Sequence, residues 1–172
     1  MTKLYIGSDN SVILDELKDT STDLFLNSAT VTFTLYRLQA RDAVSVAAST
    51  TLNVASGPFV AGDVARSIVL LGAGADGSDL RTTISSYSSS TAVVLSASPS
   101  KSVTNGELRI SVTNATAVSM SYVTDSSGKY RGTIDDDVAL KDGDTYWVEV
   151  SADAGSDRKS LWVLEILAGY RT

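Results

Sequence analysis

Apolar and polar residues alternate with a period of two along much of this chain. Within 31–38, the apolar residues Val31, Phe33 and Leu35 share one side, and mainly hydroxyl-bearing residues occupy the other. Because successive side chains of a strand point to opposite faces, this segment is predicted to be a half-buried strand. Short runs of the same kind predict further strands at 67–71, 80–84, 92–95, 108–112, 118–123, 130–134, 146–150 and 161–167.

Clusters of turn-forming residues separate these runs. Glycine, asparagine, aspartate and serine gather at 72–77, 105–106, 125–128 and 142–144, and these residue types favour tight turns. A single helical turn is predicted at 61–66, and no longer segment carries an apolar stripe of helical period. Many short strands between turns predict an all-β fold, either a sandwich or a barrel.

The distribution of residue types predicts two nested parts. Acidic residues and both tryptophans lie toward the ends of the chain, whereas 44–112 is rich in serine, threonine, alanine, valine and glycine. We therefore predict an immunoglobulin-like β-sandwich formed by 1–43 and 113–172, with a small β-barrel-like or sandwich-like module inserted at 44–112. Loop-closure entropy grows slowly with loop length, so such insertions are tolerated. One continuous β domain with a long loop is the alternative.

Composition excludes several kinds of chemistry. The 172 residues include no histidine and no cysteine, which removes serine–histidine relays, cysteine nucleophiles, disulfides and cysteine/histidine zinc sites. Lysine and arginine number 14 against 20 acidic residues, a net charge of −6 that argues against broad capture of a nucleic-acid backbone. No apolar run approaches the ~20 residues that span a bilayer. We expect no cofactor, no direct nucleic-acid partner and no membrane contact.

The segment that leads into the predicted strand 146–150 carries the pattern of a structural corner. Leu140 and Gly143 precede Tyr146, as in the tyrosine corner of immunoglobulin-like sandwiches, where the ring packs inward and the hydroxyl bonds to upstream backbone. Tyr146 and the alternate residues after it are predicted to face inward, and Trp147 outward. An outward Trp147 either covers the stem of a neighbouring Lys or Arg or forms a subunit contact. Trp162 is a second candidate interface residue.

Acidic residues are the remaining candidates for chemistry. The runs 135–137 and 142–144 offer carboxylates that in principle form an acid/base pair or bind calcium. Each run adjoins a predicted strand and neither fits a calcium-binding loop, so we interpret both as solvated turns. The glycines at 72–74 lack the Gly-Lys-Ser/Thr continuation of a phosphate-binding loop. We expect a non-catalytic protein that holds no metal.

The middle of the chain resembles a small β module of tailed-bacteriophage tail and tailspike proteins. The similarity runs from Phe59 to Leu95 and includes Gly-Ala-Gly at 72–74 and Thr-Thr-Ile at 82–84. Ala65 stands where that module has glycine. Glycine takes positive φ at little cost and alanine does not, so the turn at Ala65 is expected to differ.

The flanking parts resemble small immunoglobulin-like structural proteins of tailed phages. The likeness rests on 4–14, 29–38, 128–134 and the Tyr146 corner. It implies a virion protein made in the host cytoplasm, a neck, head–tail or tail accessory subunit that forms a homo-oligomer and docks on a symmetric ring of portal, connector, tail or capsid proteins. A capsid decoration protein and a carbohydrate- or receptor-binding module at the tail tip are the alternatives. A sugar site would use Trp147 or Trp162 beside polar side chains.

Overall fold

The computed structural model describes residues 3–19, 21–155 and 159–170. These residues form an all-β structure, as predicted, with two short 3₁₀-helices at Ala61–Asp63 and Ala75–Gly77. The strands in chain order are β1 (Lys3–Tyr5), β2 (Asn10–Leu14), β3 (Thr30–Ser45), β4 (Thr51–Val54), β5 (Ser67–Leu70), β6 (Leu80–Ser89), β7 (Ala92–Leu95), β8 (Val103–Ser111), β9 (Val118–Tyr122), β10 (Tyr130–Ile134), β11 (Thr145–Asp153) and β12 (Lys159–Gly169).

Each strand predicted from the alternation is present, although several extend further along the chain. The helical turn predicted at 61–66 is the 3₁₀-helix Ala61–Asp63. Three strands were not predicted, namely β1, β2 and β4. β1 has only three residues, and β2 ends in the continuous apolar run 12–14, which shows no alternation. The alternation of the four residues of β4 was overlooked.

The chain divides into two compact units. Unit 1 contains Met1–Tyr36 and Val112–Thr172, and unit 2 contains Arg37–Ser111. The sequence of unit 2 therefore interrupts that of unit 1. The predicted inserted range, 44–112, begins later because the boundary falls inside β3, a single strand of 16 residues that contributes to both units.

Unit 2 is a closed barrel of six strands. The strands follow the order β3-β4-β7-β6-β5-β8, and β8 pairs with β3 to complete the ring. Since even an eight-stranded barrel is only just wide enough to hold its own side chains, a narrower barrel has a solid core. That core consists of Ala40, Ala43, Leu52, Val54, Phe59, Ile68, Leu70, Ala73, Ile84, Val93, Leu95, Leu108 and Ile110.

A buried ion pair holds the turn that precedes β5. The carboxylate of Asp63 accepts hydrogen bonds from Arg66 Nη1 at 2.7 Å and from the backbone N–H of Val60 at 3.0 Å. Arg66 Nη2 donates to the carbonyl of Ser111. Between the paired residues, Ala65 adopts φ of +68°, which is the left-handed conformation that favours glycine. Alanine therefore takes the positive φ that was expected of glycine alone, and the surrounding bonds hold this strained conformation. Whether the turn differs from that of the phage module stays a prediction.

In unit 1, two sets of strands pack around one core. One set runs β1-β12-β11-β3, with β1 parallel and β11 antiparallel to β12. The other runs β2-β10-β9 and joins the first where β9 pairs with β3. Val31, Phe33 and Leu35 of β3 are buried, as the alternation predicts. The immunoglobulin-like form of this unit stays a prediction. Its other buried core residues are Leu4, Val12, Leu17, Val112, Ala115, Met120, Tyr130, Ile134, Val138, Tyr146, Val148, Val150, Ala152, Ile166 and Ala168.

Candidate docking surface

Strand β12 exposes apolar side chains on both of its faces. Leu161, Trp162, Val163 and Leu164 are each 39–47% exposed. Successive side chains of a strand point to opposite faces, so four exposed neighbours in sequence mean that neither face is fully covered. In a half-buried strand, by contrast, every second residue would be buried. The exposure pattern therefore indicates a strand with two incompletely covered faces.

One side of β12 has few partners among the described strands. Antiparallel β11 pairs with residues 159–167 along one side. On the other side, β1 pairs with Leu167, Ala168 and Gly169 alone. Among the strands of the described ranges, none pairs with the second side of 159–166.

Hydrogen bonds at the end of β12 show which residues direct their backbone groups to the open side. Ala168 bonds toward β11, since its N–H donates to the Asp144 carbonyl at 3.0 Å and its carbonyl accepts from Gly143 at 3.1 Å. Gly169 bonds the other way, because its carbonyl accepts the Ile6 N–H at 3.2 Å. Directions alternate along a strand in this ladder. The N–H and C=O groups of Leu161, Val163 and Glu165 consequently point to the open side.

An apolar groove lies beside this edge. Its volume is about 280 Å³, and it lies within unit 1 between β2 on one side and β11 with β12 on the other. Trp162, Leu164 and Ile166 line it because they share the inward face of β12. All lining residues are apolar; they are Val12, Ile13, Leu14, Val148, Val150, Trp162, Val163, Leu164 and Ile166.

The prediction that Trp147 faces outward as an interface residue is wrong. Trp147 is only 6% exposed. The register pairs Trp147 with Glu165 and Val150 with Trp162, so the two tryptophans lie on opposite faces of the sheet. The prediction assumed that only one face of β11 is buried, whereas residues on both faces of β11 are buried. Trp162, at 39% exposed, is the accessible one.

The corner residues lie together at the start of β11. The Tyr146 hydroxyl accepts the backbone N–H of Lys141 at 2.9 Å, while its ring is fully buried. Gly143 has φ of +78°, a conformation that glycine adopts without the steric cost of a side chain. Leu140 packs against the core of unit 1. The three residues therefore fix how the chain enters β11, the strand that positions β12.

The acidic run at 135–137 is hydrogen-bonded to two other loops. The backbone N–H of Asp136 donates to Asp9 Oδ1 at 3.1 Å, and Asp137 Oδ2 accepts from Asn114 Nδ2 at 3.2 Å. In the part of the chain that the structure describes, no group of three or more acidic side chains is placed to hold a metal ion. Within those same ranges, no helix has the length and apolar character needed to cross a membrane.

One tyrosine has a shifted pKa for a structural reason. Burial raises the pKa of Tyr130 above its ordinary value of 10.0, the nearby Tyr122 adds to the rise, and the hydrogen bond from Ala29 opposes it. The Tyr130 hydroxyl donates to the Leu26 carbonyl at 2.8 Å and accepts the Ala29 N–H at 2.9 Å. A neutral hydroxyl is required to make both bonds. The two hydrogen bonds of Tyr130 therefore connect the 26–29 segment to β10.

Sequence reasoning missed the β2 side of the groove and the open edge of β12. Val12, Ile13 and Leu14 form a continuous aliphatic run, and such a run does not reveal which of its members are covered. In 161–164, Leu-Trp-Val-Leu has no polar residue at alternate positions. This break in alternation was the available signal that β12 carries apolar residues on both faces, but it does not reveal that they are exposed.

Comparison with known proteins adds no relative. No family model, no curated protein and no solved structure matches the chain. Any function proposed for the chain is therefore supported by its surface and by the sequence resemblance described above.

Proposed function

We propose that this chain is a non-catalytic structural protein of a tailed-phage virion. Its role is that of a neck, head–tail or tail accessory subunit that docks on a symmetric ring of portal, connector, tail or capsid proteins. The observation that supports an assembly role is the edge strand β12, whose apolar residues 161–164 are exposed on both faces beside an apolar groove.

Energetics favour covering this strand. Fully burying one large aliphatic or aromatic side chain gains roughly 1.5–3 kcal/mol, and contiguous exposed apolar residues on soluble proteins mark interaction surfaces. A long, apolar strand edge left open is also a site of uncontrolled pairing. In a ring, a modest contact is repeated at every subunit, so a small surface suffices for stable assembly.

The virion part of the proposal comes from sequence resemblance. Phe59 to Leu95 is similar to a module of phage tail and tailspike proteins, and the flanking segments resemble immunoglobulin-like phage structural proteins. A capsid decoration protein would use the same surface and is the alternative position on the particle.

A carbohydrate-binding module receives less support from the groove. Sugar recognition combines an aromatic platform with polar groups that hydrogen-bond to hydroxyls, and the groove residues are all apolar. Trp147, one of the two tryptophans that such a platform would use, is buried.

The proposal is tested by purifying virus particles from lysates of the source and quantifying this chain by mass spectrometry. A structural subunit is recovered in the particles at a fixed copy number and occupies a symmetric position in their electron-microscopy reconstruction. Recovery in the particle-free fraction alone would contradict the proposal. A glycan array probed with the purified chain separates the roles, since binding would indicate a receptor-binding module instead.

A further inference from the structure

We propose that an apolar tip on one copy of this chain inserts into the groove of the next copy, so that identical subunits join head to tail. The tip consists of Leu24 and Phe25, and the groove is the apolar groove between β2 and β12 described above. The inference rests on the structural role proposed above, to which it adds a second copy of the chain as one partner.

The tip is an exposed pair of apolar residues on a loop of unit 1. Leu24 is 67% exposed and Phe25 is 39% exposed. The backbone N–H of Asp19 donates to the Leu24 carbonyl at 2.9 Å, and Lys18 Nζ lies 4.8 Å from the centre of the Phe25 ring. These contacts hold the tip in place but leave both residues exposed. Because the tip is already ordered, little conformational entropy is lost when it binds.

The tip and the groove lie at different places on unit 1. Leu17, which precedes the tip in sequence, donates its N–H to the Gly128 carbonyl at 2.9 Å, so the tip lies beyond the end of β2 near the turn between β9 and β10. The groove lies along the sides of β2, β11 and β12, and neither tip residue lines it. When a feature of one subunit fits a different site on an identical subunit, the contact is one-way and repeats from copy to copy, and it forms a ring if the rotation closes.

The size and the chemistry of the groove match the tip. Its volume is about 280 Å³, and all of its lining residues are apolar. A cavity of about 150 Å³ with an apolar lining holds a benzene ring, so the groove has room for the Phe25 ring together with the Leu24 side chain. Four of the lining residues are each 39–47% exposed, and they are Ile13, Trp162, Val163 and Leu164. Insertion therefore removes apolar surface of both copies from water.

Charges beside the tip and beside the groove favour a second copy as the occupant. Asp23 immediately precedes the tip, and its side chain is 86% exposed. Arg131 of β10 is exposed and is the register partner of Ile13, a groove residue. On the other side of the groove, the exposed Glu165 follows Leu164. Opposite charges attract across an interface and like charges repel, so the tip enters with Asp23 toward Arg131 of the next copy.

Sedimentation velocity of the full chain over a range of concentrations is the first measurement. The tip variant is Leu24→Gln, and the groove variants are Leu164→Gln and Ile13→Gln, each of which places a polar group in the apolar contact. The control is Val46→Gln, because Val46 is an apolar residue of unit 2 that is 61% exposed. We expect the wild type and the control to form species larger than a dimer, and the other variants to show at least a tenfold higher Kd. Circular dichroism and thermal unfolding check that each variant folds.

A mixture of two variants identifies the partner and the direction of the contact. Leu24→Gln keeps an intact groove, and Leu164→Gln keeps an intact tip. An equimolar mixture is expected to form a heterodimer with one copy of each variant and nothing larger, since any further contact would join an altered tip to an altered groove. Native mass spectrometry of the mixture and of each variant alone measures the difference.

A double-mutant cycle tests the orientation of the tip. Asp23→Asn removes the charge and keeps a residue type that tolerates the φ of +55° at this position, and Arg131→Gln removes the charge beside the groove. Each variant is expected to raise the Kd by about threefold. The double variant should raise it no further, because either change alone already removes the attraction. Additive effects would show that the two charges do not meet and would overturn the assigned orientation.

Four results would overturn the head-to-tail contact itself. These are a wild-type chain that stays monomeric at high concentration, a wild-type assembly that stops at a dimer, an assembly whose Kd is unaffected by the tip or groove variants, and a variant mixture that fails to associate. None of them bears on whether the chain is recovered in virus particles, so failure of this contact and failure of the proposed function are distinguishable.

Discussion

The backbone N–H of Val112 donates to the carbonyl of Leu35 at 2.7 Å, although the whole of unit 2 separates these residues in sequence. The N–H of Leu35 in turn donates to the carbonyl of Ala115 at 2.8 Å. The chain therefore leaves unit 1 and returns to it at adjacent positions on paired backbone. A gap closed in this way is short enough for a tight turn to bridge.

Excising unit 2 should leave a folded unit 1. Replacing 37–111 with a Gly/Ser linker of about four residues is expected to preserve β-type circular dichroism and cooperative unfolding, because the linker spans two hydrogen-bonded positions. The matched comparison is removal of 44–112, which deletes the core residue Val112 and leaves part of β3 without its barrel neighbours. We expect the second deletion to be less stable in urea. A molten product from the first deletion would indicate that unit 1 depends on the barrel.

Tyr146→Phe should lower the free energy of unfolding by about 1 kcal/mol. The substitution keeps the buried ring but removes the acceptor for the Lys141 N–H. Tyr87→Phe is the control, because Tyr87 is a partly exposed tyrosine of β6 whose change should leave stability within error. Urea denaturation of both variants measures the difference, and equal midpoints would show that the corner bond contributes nothing.

Ala65→Gly should raise stability by about 0.5–1 kcal/mol, since glycine adopts the φ of +68° without the steric cost that alanine has there. Ala65 is exposed, so little packing is lost. Ala92→Gly provides the contrast within β7, where glycine is expected to lower stability by a similar amount. Thermal unfolding measures both variants. A decrease for Ala65→Gly would mean that the methyl group makes a stabilising contact in solution.

Two buried serines of the barrel should respond in opposite directions to alanine. Within the described part of the chain, Ser45 Oγ has no hydrogen-bond partner, while Ser111 Oγ accepts the Ser67 N–H at 3.2 Å. Burying an unbonded hydroxyl costs about 1 kcal/mol or more, so Ser45→Ala should stabilise the protein. Ser111→Ala should destabilise it by about 1 kcal/mol. Because both serines are almost fully buried, chemical denaturation of this pair isolates the effect of the hydrogen bond.

Stability should fall at alkaline pH in part through Tyr130. Its folded-state pKa is raised by burial, so the folded protein keeps a proton that the unfolded chain releases. The contribution is complete below the ordinary pKa of 10.0 and is lost as pH rises through the folded-state value. Urea unfolding at about pH 9 and about pH 11 measures this loss. Tyr130→Phe is expected to be less stable overall but to lose less of its free energy of unfolding over the same pH range. An identical loss would contradict the attribution of the pH dependence to Tyr130.

The sequence was sufficient to predict the fold class and most strands because these depend on local alternation. In 146–150, alternation correctly predicts the buried residues, which are Tyr146, Val148 and Val150. Alternation fails at Trp147, which was expected to be exposed and is buried. Alternation tells which residues share a face but not whether a second face is covered, and that depends on strands distant in the sequence.

The docking surface was harder to predict for the same reason. Trp162 was identified as a candidate, but the open side of β12 depends on where β1 pairs, which within the described residues is Leu167–Gly169. That pairing joins opposite ends of the chain. The boundary within β3 was missed because one strand serves both units without any change in its alternation.

Closure of the barrel gives every strand of unit 2 a neighbour on each side. Its strands therefore offer no lateral site for recruiting other chains. The exposed Ala75–Gly77 turn is a place where a foreign epitope or affinity tag would be displayed without interrupting the ring of strands. A closed barrel of this kind is well suited to carry such an added segment.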